Sequence, residues 1–285
     1  MKIIILGKGY VGTYLYANLA YDAAFDVRIY SRQELDYTDT STLNDMFEQH
    51  APDVIVNACG YTGRPNVDAC EADKHNCWYY NVTVPCNIER LCYKHDCNMI
   101  HISSGCIYTG YDKLWTENDT PNFGLYDYSS WYSKTKHACE MQLHKDITTI
   151  LRIRMPFSAC KSDRNFISKM VKYDKLVSYL NSMTCVEDLC NTVNMILTKK
   201  IMFSTEPIGI LNVTHEQPVS ARDITKLLRR AGMTDKQFEF VKIDDLDMTA
   251  PRSNCIMSTE KLKSYDLQLP DVYESLDRCI SKLVE

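Results

Sequence analysis

The chain opens with an apolar run, Ile3–Leu6, that leads through residues 7–12 (GKGYVG) into a stretch with helical character. A strand that passes through a GxGxxG turn into a helix is the first unit of a dinucleotide-binding sheet. Gly7 permits the tight turn, Gly9 lets backbone N–H groups approach a pyrophosphate, and Gly12 allows close packing of the helix. This order predicts a cofactor site that includes Gly7, Gly9, Tyr10, Val11 and Gly12.

Apolar runs alternate with helical segments over the first half of the chain. The further predicted strands are Asp26–Tyr30, Asp53–Ala58, Asn98–Ser103 and Thr149–Arg154, and the predicted helices are Val11–Tyr21, a segment ending over Asp45–His50, Asn81–His95 and Ser133–Lys145. Strands separated by helices lie parallel, with helices on both faces of the sheet. We therefore predict the α/β class, with a Rossmann-type doubly wound parallel sheet.

The alternation weakens after Pro156, where one clear helix, Ala221–Ala231, follows a predicted strand at Gly209–Thr214. We expect residues 1–155 to form a dinucleotide-binding domain, to which a segment of about 184–206 returns. Residues 156–183 and 207–285 are expected to form a smaller, discontinuous substrate-binding lobe.

Composition excludes several classes of protein. The net charge of −5 over 285 residues disfavours nucleic-acid binding through bulk electrostatics. No apolar run approaches the roughly 18–20 residues of a membrane span. The strand-like run begins directly after Met1, so we expect no cleavable signal and a cytoplasmic location.

The thirteen cysteines are an odd number and contain no CxxC pair. We therefore expect reduced thiols that mostly pack in the core, rather than a disulfide framework. No Cys/His cluster has the spacing of zinc ligands, and we predict no metal site.

The end of the second predicted strand bears on cofactor choice. An NAD site places an acidic residue there, to bind the ribose 2′-hydroxyl. This chain has Tyr30-Ser31-Arg32 instead, and a guanidinium with a hydroxyl suits a 2′-phosphate. Ser31 and Arg32 therefore favour NADPH. A solvated surface role for Arg32, and use of NADH, remain open alternatives.

A YxxxK motif places Tyr132 and Lys136 one helical turn apart, on the same face. There the ammonium is expected to lower the pKa of the phenol and to contact the nicotinamide ribose. A phenol in that position can protonate a carbonyl oxygen as hydride arrives at carbon. Ser104, at the end of the strand before this helix, supplies the hydroxyl that completes a Ser-Tyr-Lys set.

With Asn57–Gly60 (NACG) and Asn81-Val82, these motifs resemble the extended short-chain dehydrogenase/reductase family over nearly the whole chain. The resemblance implies that Ala58 contributes to the cofactor site. It also implies that Asp36 and Tyr37 form the pair that contacts adenine, although Asp36 is equally suited to a capping or loop role.

A longer series of motifs is similar to the plant-type bifunctional UDP-4-keto-6-deoxy-D-glucose 3,5-epimerase/4-reductases. It comprises residues 63–71 (GRPNVDACE), 104–107 (SGCI), 120–123 (TPNF), 152–156 (RIRMP), 164–167 (RNFI), 181–184 (NSMT) and 250–254 (APRSN). The resemblance implies a uridine nucleotide sugar as substrate and two reactions in one site. Whether the chain forms a homodimer stays open in the sequence. The glycine motif departs from the usual GxxGxxG of that family, which weakens inferences about cofactor selectivity.

Related 4,6-dehydratases have an Asp-Glu pair directly after the catalytic hydroxyl, whereas this chain has Gly105 and Cys106. The resemblance therefore implies that a separate 4,6-dehydratase supplies the 4-keto substrate. A ketone at C4 acidifies the hydrogens at C3 and C5, and Cys106 is the candidate base. Core packing is the alternative role for Cys106. Lys169 is the candidate acid on the opposite face, with a surface role as its alternative.

The remaining polar motif residues are candidates for substrate contacts. Arg252 and Asn254 suit a diphosphate or a sugar. Asn165 is a third candidate, in the same short segment as Lys169. Arg64, Asn66 and Asp68 either line the sugar site or stabilise their loop. Two other functions stay open at this stage. One is a monofunctional dTDP-4-dehydrorhamnose-type reductase, and the other is a catalytically silent regulatory subunit.

Overall fold

The computed structural model describes residues 1–204 and 207–285. In chain order its strands are β1 (Lys2–Leu6), β2 (Asp26–Tyr30), β3 (Val54–Asn57), β4 (Asn98–Ser104), β5 (Gly110–Trp115), β6 (Thr148–Ile153), β7 (Lys175–Val177), β8 (Ile210–Asn212), β9 (Glu239–Val241) and β10 (Cys255–Met257). The helices are α1 (Tyr10–Leu19), α2 (Thr40–His50), α3 (Asp68–Ala72), α4 (Lys74–Trp78), α5 (Val84–Lys94), α6 (Trp131–Gln142), α7 (Phe166–Lys172), α8 (Val186–Thr198), α9 (Ala221–Arg230), α10 (Glu260–Ser264) and α11 (Val272–Val284).

Six strands form the central sheet in the order β2-β1-β3-β4-β6-β8, and every pairing in it is parallel. Side chains alternate between the faces of a strand. In β1, Ile3 and Ile5 pack into one core cluster, while Ile4 and Leu6 pack into another on the opposite face. A strand that is apolar at every position is therefore buried on both sides, as in doubly wound sheets.

Helices cover both faces of the sheet. Apolar residues of α1 and α8 join the cluster that contains Ile3, and residues of α2, α5 and α6 join the cluster that contains Ile4. The predicted α/β class and doubly wound parallel sheet are confirmed. Among the helices of the described ranges, none has the length and apolar character needed to cross a bilayer.

A smaller lobe has its own apolar core, formed by residues such as Phe157, Ile167, Ile224 and Leu276 from α7, α9, α11 and the segment after β6. Its two short strands, β7 and β9, pair in parallel. The structure differs from the predicted boundary at residue 207, because β8 extends the main sheet through its pairing with β6. The returning segment supplies α8; its residues 205–206 lie outside the described part.

Two long helices of the second half, α8 and α11, were not predicted, although each has 13 residues. In α8 eight residues are buried, so its sequence has no wide polar face to reveal a helical period. It also contains β-branched residues and asparagine, which are weak helix formers. Burial against the sheet stabilises this helix more than its local sequence does.

Candidate active site

The glycine turn packs closely against the end of β3. Gly7 has a φ of +107°, and a Cβ atom added there would lie 2.7 Å from the backbone nitrogen of Cys59. A Cβ atom at Gly12 would lie 2.0 Å from the carbonyl oxygen of Gly7. Only glycine fits these two positions, and the turn therefore brings the start of α1 against β1 and Ala58.

Gly9 is different, because a Cβ atom there would meet nothing within 4 Å. It is the N-cap residue of α1, and no side chain caps that helix end. No side chain caps the first N–H groups of α1, and the space beside the Gly9 Cα is open, which fits a pyrophosphate. Tyr10 directs its hydroxyl to Ser158 Oγ, at 2.7 Å, and Val11 packs against the core. Because both side chains are engaged elsewhere, Tyr10 and Val11 would contact a ligand through their backbone atoms.

The end of β2 carries more charge than its sequence suggested. Arg32 is exposed, its guanidinium carbon lies 4.9 Å from the centre of the Tyr80 ring, and it donates a hydrogen bond to the Tyr80 hydroxyl. Glu34 turns back to accept from the backbone N–H of Ser31 at 2.8 Å and from Lys8 Nζ at 2.8 Å. The hydrogen bond from Lys8 lowers the pKa of Glu34 to about 2.

The interpretation that this strand end lacks a carboxylate is therefore corrected. Glu34 stands three residues beyond Ser31, and a turn folds it back onto the strand end. The ion pair with Lys8 neutralises the carboxylate of Glu34. Arg32 therefore supplies the net positive charge at this edge, which suits a 2′-phosphate.

Asp36 and Tyr37 follow this turn. Asp36 Oδ1 accepts from the backbone N–H and the hydroxyl of Thr38, at 3.1 and 2.5 Å, so its carboxylate holds a local turn. The side chain of Tyr37 is buried in the core beside α2. The loop role of Asp36 is seen directly, and contact of the pair with adenine stays a prediction.

Cys106, Tyr132 and Lys169 line one cavity of about 330 Å³, which lies between the main domain and the smaller lobe. Ser104 stands at the end of β4, where its Oγ accepts from the backbone N–H of Cys106 at 3.2 Å and shares a hydrogen bond with Tyr132. The loop after β4, helix α6 and helix α7 thus bring three candidate proton-transfer groups to the same space. Because these three residues are far apart in the sequence, the sequence alone does not show that they line the same cavity.

Burial raises the pKa of Tyr132 well above its ordinary value, the nearby Cys106 thiol raises it further, and the hydrogen bond with Ser104 opposes the rise. The expectation that Lys136 lowers the pKa of Tyr132 is therefore corrected. Lys136 Nζ lies 6.0 Å from the centre of the Tyr132 ring and donates to the carbonyl oxygen of Ile102 at 3.4 Å. A protonated phenol is the form that can donate a proton.

Lys169 is half-buried in α7. Burial lowers the pKa of Lys169, the cations Arg164 and Arg252 lower it further, and Asp163 opposes them. An ammonium group whose charge is disfavoured transfers a proton more readily. The environment of Lys169 therefore favours its role as a proton donor over the alternative role of a surface lysine.

Arg154, directly after β6, is a cavity residue that the sequence analysis did not single out. Its side chain is 1% exposed, and Nη1 donates to Cys106 Sγ at 3.6 Å. Its only sequence signal was membership of the RIRMP motif at residues 152–156.

Two of the predicted substrate residues line the cavity. Arg252 does so while forming a two-pronged ion pair with Asp68, at 2.8 and 2.9 Å. Asn254 also lines it, and its Oδ1 accepts from Asn181 Nδ2 at 3.0 Å. For Asp68 the loop-stabilising role is the one observed.

Three other predicted substrate residues are not brought to the cavity wall. Arg64 is exposed, and Asn66 Oδ1 accepts from the backbone N–H of Asp68 at 2.8 Å within its own loop. Asn165 is fully buried and caps α7 by accepting from the N–H of Ile167 at 3.0 Å. Its amide also donates to the carbonyl oxygens of Ser158 and Cys160, both at 2.8 Å. Because these bonds occupy the side chain, the substrate role predicted for Asn165 is corrected to a structural one.

Replacing Asn165 with alanine should therefore lower the free energy of unfolding by about 2–4 kcal/mol, because a helix cap is lost and the carbonyl groups of Ser158 and Cys160 lose their donor. Urea unfolding of the variant measures this change. A variant of unchanged stability with a raised KM for substrate would contradict the structural assignment.

Outside this cavity, Cys185, Glu187 and Cys279 place three possible ligand atoms within 4.8 Å of one another. Arg278 donates to Cys185 Sγ at 3.5 Å and pairs with Asp188 at 2.7 Å. A guanidinium beside the thiols opposes a second cation, so we assign no ligand to this group.

Comparison with known proteins gives a consistent result. The family model described as "RmlD substrate binding domain" matches residues 1–285. A trifunctional UDP-glucose 4,6-dehydratase/UDP-4-keto-6-deoxy-D-glucose 3,5-epimerase/UDP-4-keto-L-rhamnose-reductase of Arabidopsis thaliana is 32% identical over 97% of this chain. The chain spans 41% of the length of that relative.

A second relative from Arabidopsis thaliana, a bifunctional dTDP-4-dehydrorhamnose 3,5-epimerase/dTDP-4-dehydrorhamnose reductase, is 34% identical over 80% of this chain and 76% of its own length. Among solved structures, the L780 UDP-rhamnose synthase of Acanthamoeba polyphaga mimivirus superposes with a TM-score of 0.87. It is 26% identical, over 99% of both chains.

Proposed function

The chain belongs to the RmlD substrate-binding domain family, and from that premise we propose that it converts UDP-4-keto-6-deoxy-D-glucose to UDP-L-rhamnose. The conversion combines epimerisation at C3 and C5 with NADPH-dependent reduction of the ketone at C4. The observation that carries this proposal is the shared cavity of Cys106, Lys169 and Tyr132. Reduction needs Tyr132, whereas inversion at carbon needs two further proton-transfer groups.

The relatives support both reactions, since the names of the two plant proteins include an epimerase and a reductase activity. The trifunctional relative also includes a dehydratase in its name, and this chain spans less than half of it. By the family resemblance, Gly105 and Cys106 stand at the positions where related dehydratases have an acid pair. We therefore propose that a separate 4,6-dehydratase supplies the substrate.

Epimerisation begins with proton removal at C5. The sulfur of Cys106 takes the proton and becomes a thiol, and the electron pair of the C–H bond moves into an enolate whose charge rests on O4. The hydroxyls of Ser104 and Tyr132 stabilise that oxygen. Lys169 donates a proton to the opposite face of C5, which inverts the centre, and the same cycle at C3 inverts the second centre. Exchange with solvent restores the proton on Lys169 and removes the one on Cys106.

Reduction uses the same oxygen. When bound, NADPH supplies the hydride that C4 accepts. The uncapped start of α1 at Gly9 fits the pyrophosphate, Ser31 and Arg32 suit the 2′-phosphate, and Lys136 suits the nicotinamide ribose. Tyr132 donates its proton to O4 and leaves a hydroxyl group on the sugar. One cavity serves both reactions because both develop negative charge at O4.

Reduction assays with two ketone substrates distinguish this proposal from its alternatives. The chain should reduce UDP-4-keto-6-deoxy-D-glucose and its 3,5-epimerised form, UDP-4-keto-L-rhamnose, to the same product in the presence of NADPH. A monofunctional reductase would convert only the epimerised ketone to that product, and a catalytically silent subunit would convert neither. Product configuration by NMR distinguishes the three outcomes, and either of the last two contradicts the proposal.

Arg32 provides a test of the cofactor assignment. Its guanidinium is exposed and held beside Tyr80. Because one charge-assisted contact contributes roughly 1.5–3 kcal/mol, Arg32→Asp should reduce the preference for NADPH over NADH about ten- to a hundredfold. The measurement is the ratio of kcat/KM values for the two cofactors. Tyr80→Phe, which keeps the ring, is the matched control, and an unchanged ratio in Arg32→Asp would place Arg32 outside the cofactor site.

A further inference from the structure

Arg154 is a buried cation that reaches from the end of β6 into the wall of the cavity. Its guanidinium is fixed by neutral acceptors on two sides. Asn181 Oδ1 accepts from Nε at 3.2 Å and from Nη2, while Ser253 accepts through its carbonyl oxygen at 2.7 Å and its hydroxyl at 3.0 Å. Nη1 donates one hydrogen to that hydroxyl, and its second hydrogen is left for Gly105 O and Cys106 Sγ, which lie 3.5 and 3.6 Å from Nη1.

No carboxylate in the described part of the chain forms an ion pair with Arg154. Arg152, two residues earlier on the same strand, shows the contrast, because Glu140 neutralises it through a 2.7 Å bond and two further contacts. A buried charge without a counter-charge is unfavourable. Among the described residues, Cys106 Sγ is the one ionisable acceptor that Arg154 reaches by a hydrogen bond, and a thiolate there would supply the missing charge.

We propose that Arg154 is a positioning residue that holds Cys106 in its thiolate form, ready to remove a proton from the sugar. This inference rests on the proposed function, and it deepens it by explaining how a thiol serves as a base near neutral pH. An ordinary cysteine, with a pKa near 8.5, is mostly protonated there. The structure places Nη1 of the Arg154 guanidinium 3.6 Å from the sulfur.

Other groups face the same sulfur from neighbouring elements. Tyr132 on α6 and Cys255 on β10 are both neutral near pH 7, since burial raises the pKa of each. Lys169 on α7 and Arg252 before β10 add positive charge around the cavity, without a hydrogen bond to the sulfur. On β5, burial raises the pKa of Tyr111 to about 12, against the opposing effect of Arg154. Arg154 is therefore the cation with a direct contact.

The test measures the reactivity of Cys106 itself. Iodoacetamide alkylates thiolates, so the alkylation rate of the Cys106 peptide, followed by mass spectrometry from pH 5 to 10, reports the ionisation of that thiol. Cys160 is exposed and serves as the internal reference. In the wild-type protein the midpoint for Cys106 should lie at least about one pH unit below that for Cys160, equivalent to a tenfold stabilisation of the thiolate. Equal midpoints in the wild type would overturn the inference without any variant.

Two variants test whether the positive charge of Arg154 controls the ionisation of Cys106. Arg154→Gln should move the Cys106 midpoint to that of Cys160 or above, and Arg154→Lys should keep most of the wild-type difference. A midpoint that is the same in Arg154→Gln as in the wild type would overturn the inference. Cys106→Ala identifies the correct peptide, because its signal disappears.

Deuterium exchange then separates this inference from the proposed function. In Arg154→Gln, exchange at C3 and C5 of the 4-keto sugar should fall at least about tenfold at pH 7 and recover toward pH 9, as solvent base generates the thiolate. A loss that persists equally at every pH would show a merely structural role and overturn the inference. If the wild type itself exchanges nothing while the alkylation profile is as expected, the proposed epimerisation fails and the contact between Arg154 and Cys106 stands.

Discussion

Replacing Tyr132 with phenylalanine is expected to lower the rate of NADPH-dependent reduction of the 4-keto sugar by about two to four orders of magnitude, the range that a positioned proton donor contributes. The substitution removes a single oxygen from a half-buried ring that lines the cavity. Packing of α6 and the glycine turn should remain, so binding of NADPH should stay close to that of the wild type. Stopped-flow absorbance at 340 nm measures the hydride step, and fluorescence titration measures cofactor binding.

Lys136→Met is the matched comparison for this prediction. Its ammonium is buried, donates to Ile102 O and is suited to the nicotinamide ribose. Its loss should therefore weaken cofactor binding and reduce the rate together, whereas Tyr132→Phe changes mainly the rate. If Tyr132→Phe retained most of its turnover, the assignment of Tyr132 as proton donor would be wrong.

Replacing Cys106 with alanine should stop solvent deuterium from entering C3 and C5 of the 4-keto sugar, with a loss of at least about a hundredfold in exchange rate. The variant keeps Ser104, Tyr132, Lys136 and the glycine turn, so it should still reduce the ketone that is already epimerised. Proton NMR of UDP-4-keto-6-deoxy-D-glucose in D2O, without cofactor, follows both positions. The reduction assay with UDP-4-keto-L-rhamnose shows that the variant is folded.

Lys169→Ala is expected to give a different pattern. Cys106 can still remove a proton and return a deuteron from its own face, so exchange should persist at one position or both. The inverted sugar should not accumulate, because the opposite face has lost its donor. Should Cys106→Ala exchange both positions at the wild-type rate, Cys106 would be a packing residue and the bifunctional assignment would fail with it.

The main sheet could be predicted because its signals are local. Ile3–Leu6 is apolar at every position, which indicates a strand buried on both faces, and the glycines that follow have steric roles visible in their spacing. Tyr132 and Lys136 are likewise fixed by helical geometry. The smaller lobe was harder to predict, since β7 and β9 have three residues each and pair across more than sixty positions.

Residues whose roles depend on distant partners could not be assigned from the sequence. Arg152 and Arg154 lie two positions apart, yet one is neutralised by Glu140 and the other reaches Cys106. Asn165 is close in sequence to candidate site residues, but its side-chain hydrogen bonds cap α7 and hold the Ser158 carbonyl group. Glu34 reaches the end of β2 only through a turn. In each case the sequence gives the chemical group, and the fold decides which atom it meets.

The central claim is that one cavity performs proton transfer at C3 and C5 and reduction at C4. The most direct test is a single reaction of the wild-type protein with UDP-4-keto-6-deoxy-D-glucose and NADPH in D2O, with the product sugar analysed by NMR. The account predicts UDP-L-rhamnose that carries deuterium at C3 and C5 and protium at C4, because solvent supplies the first two positions and the cofactor supplies the third. A product reduced at C4 that retains protium and the D-configuration at C3 and C5 would contradict it.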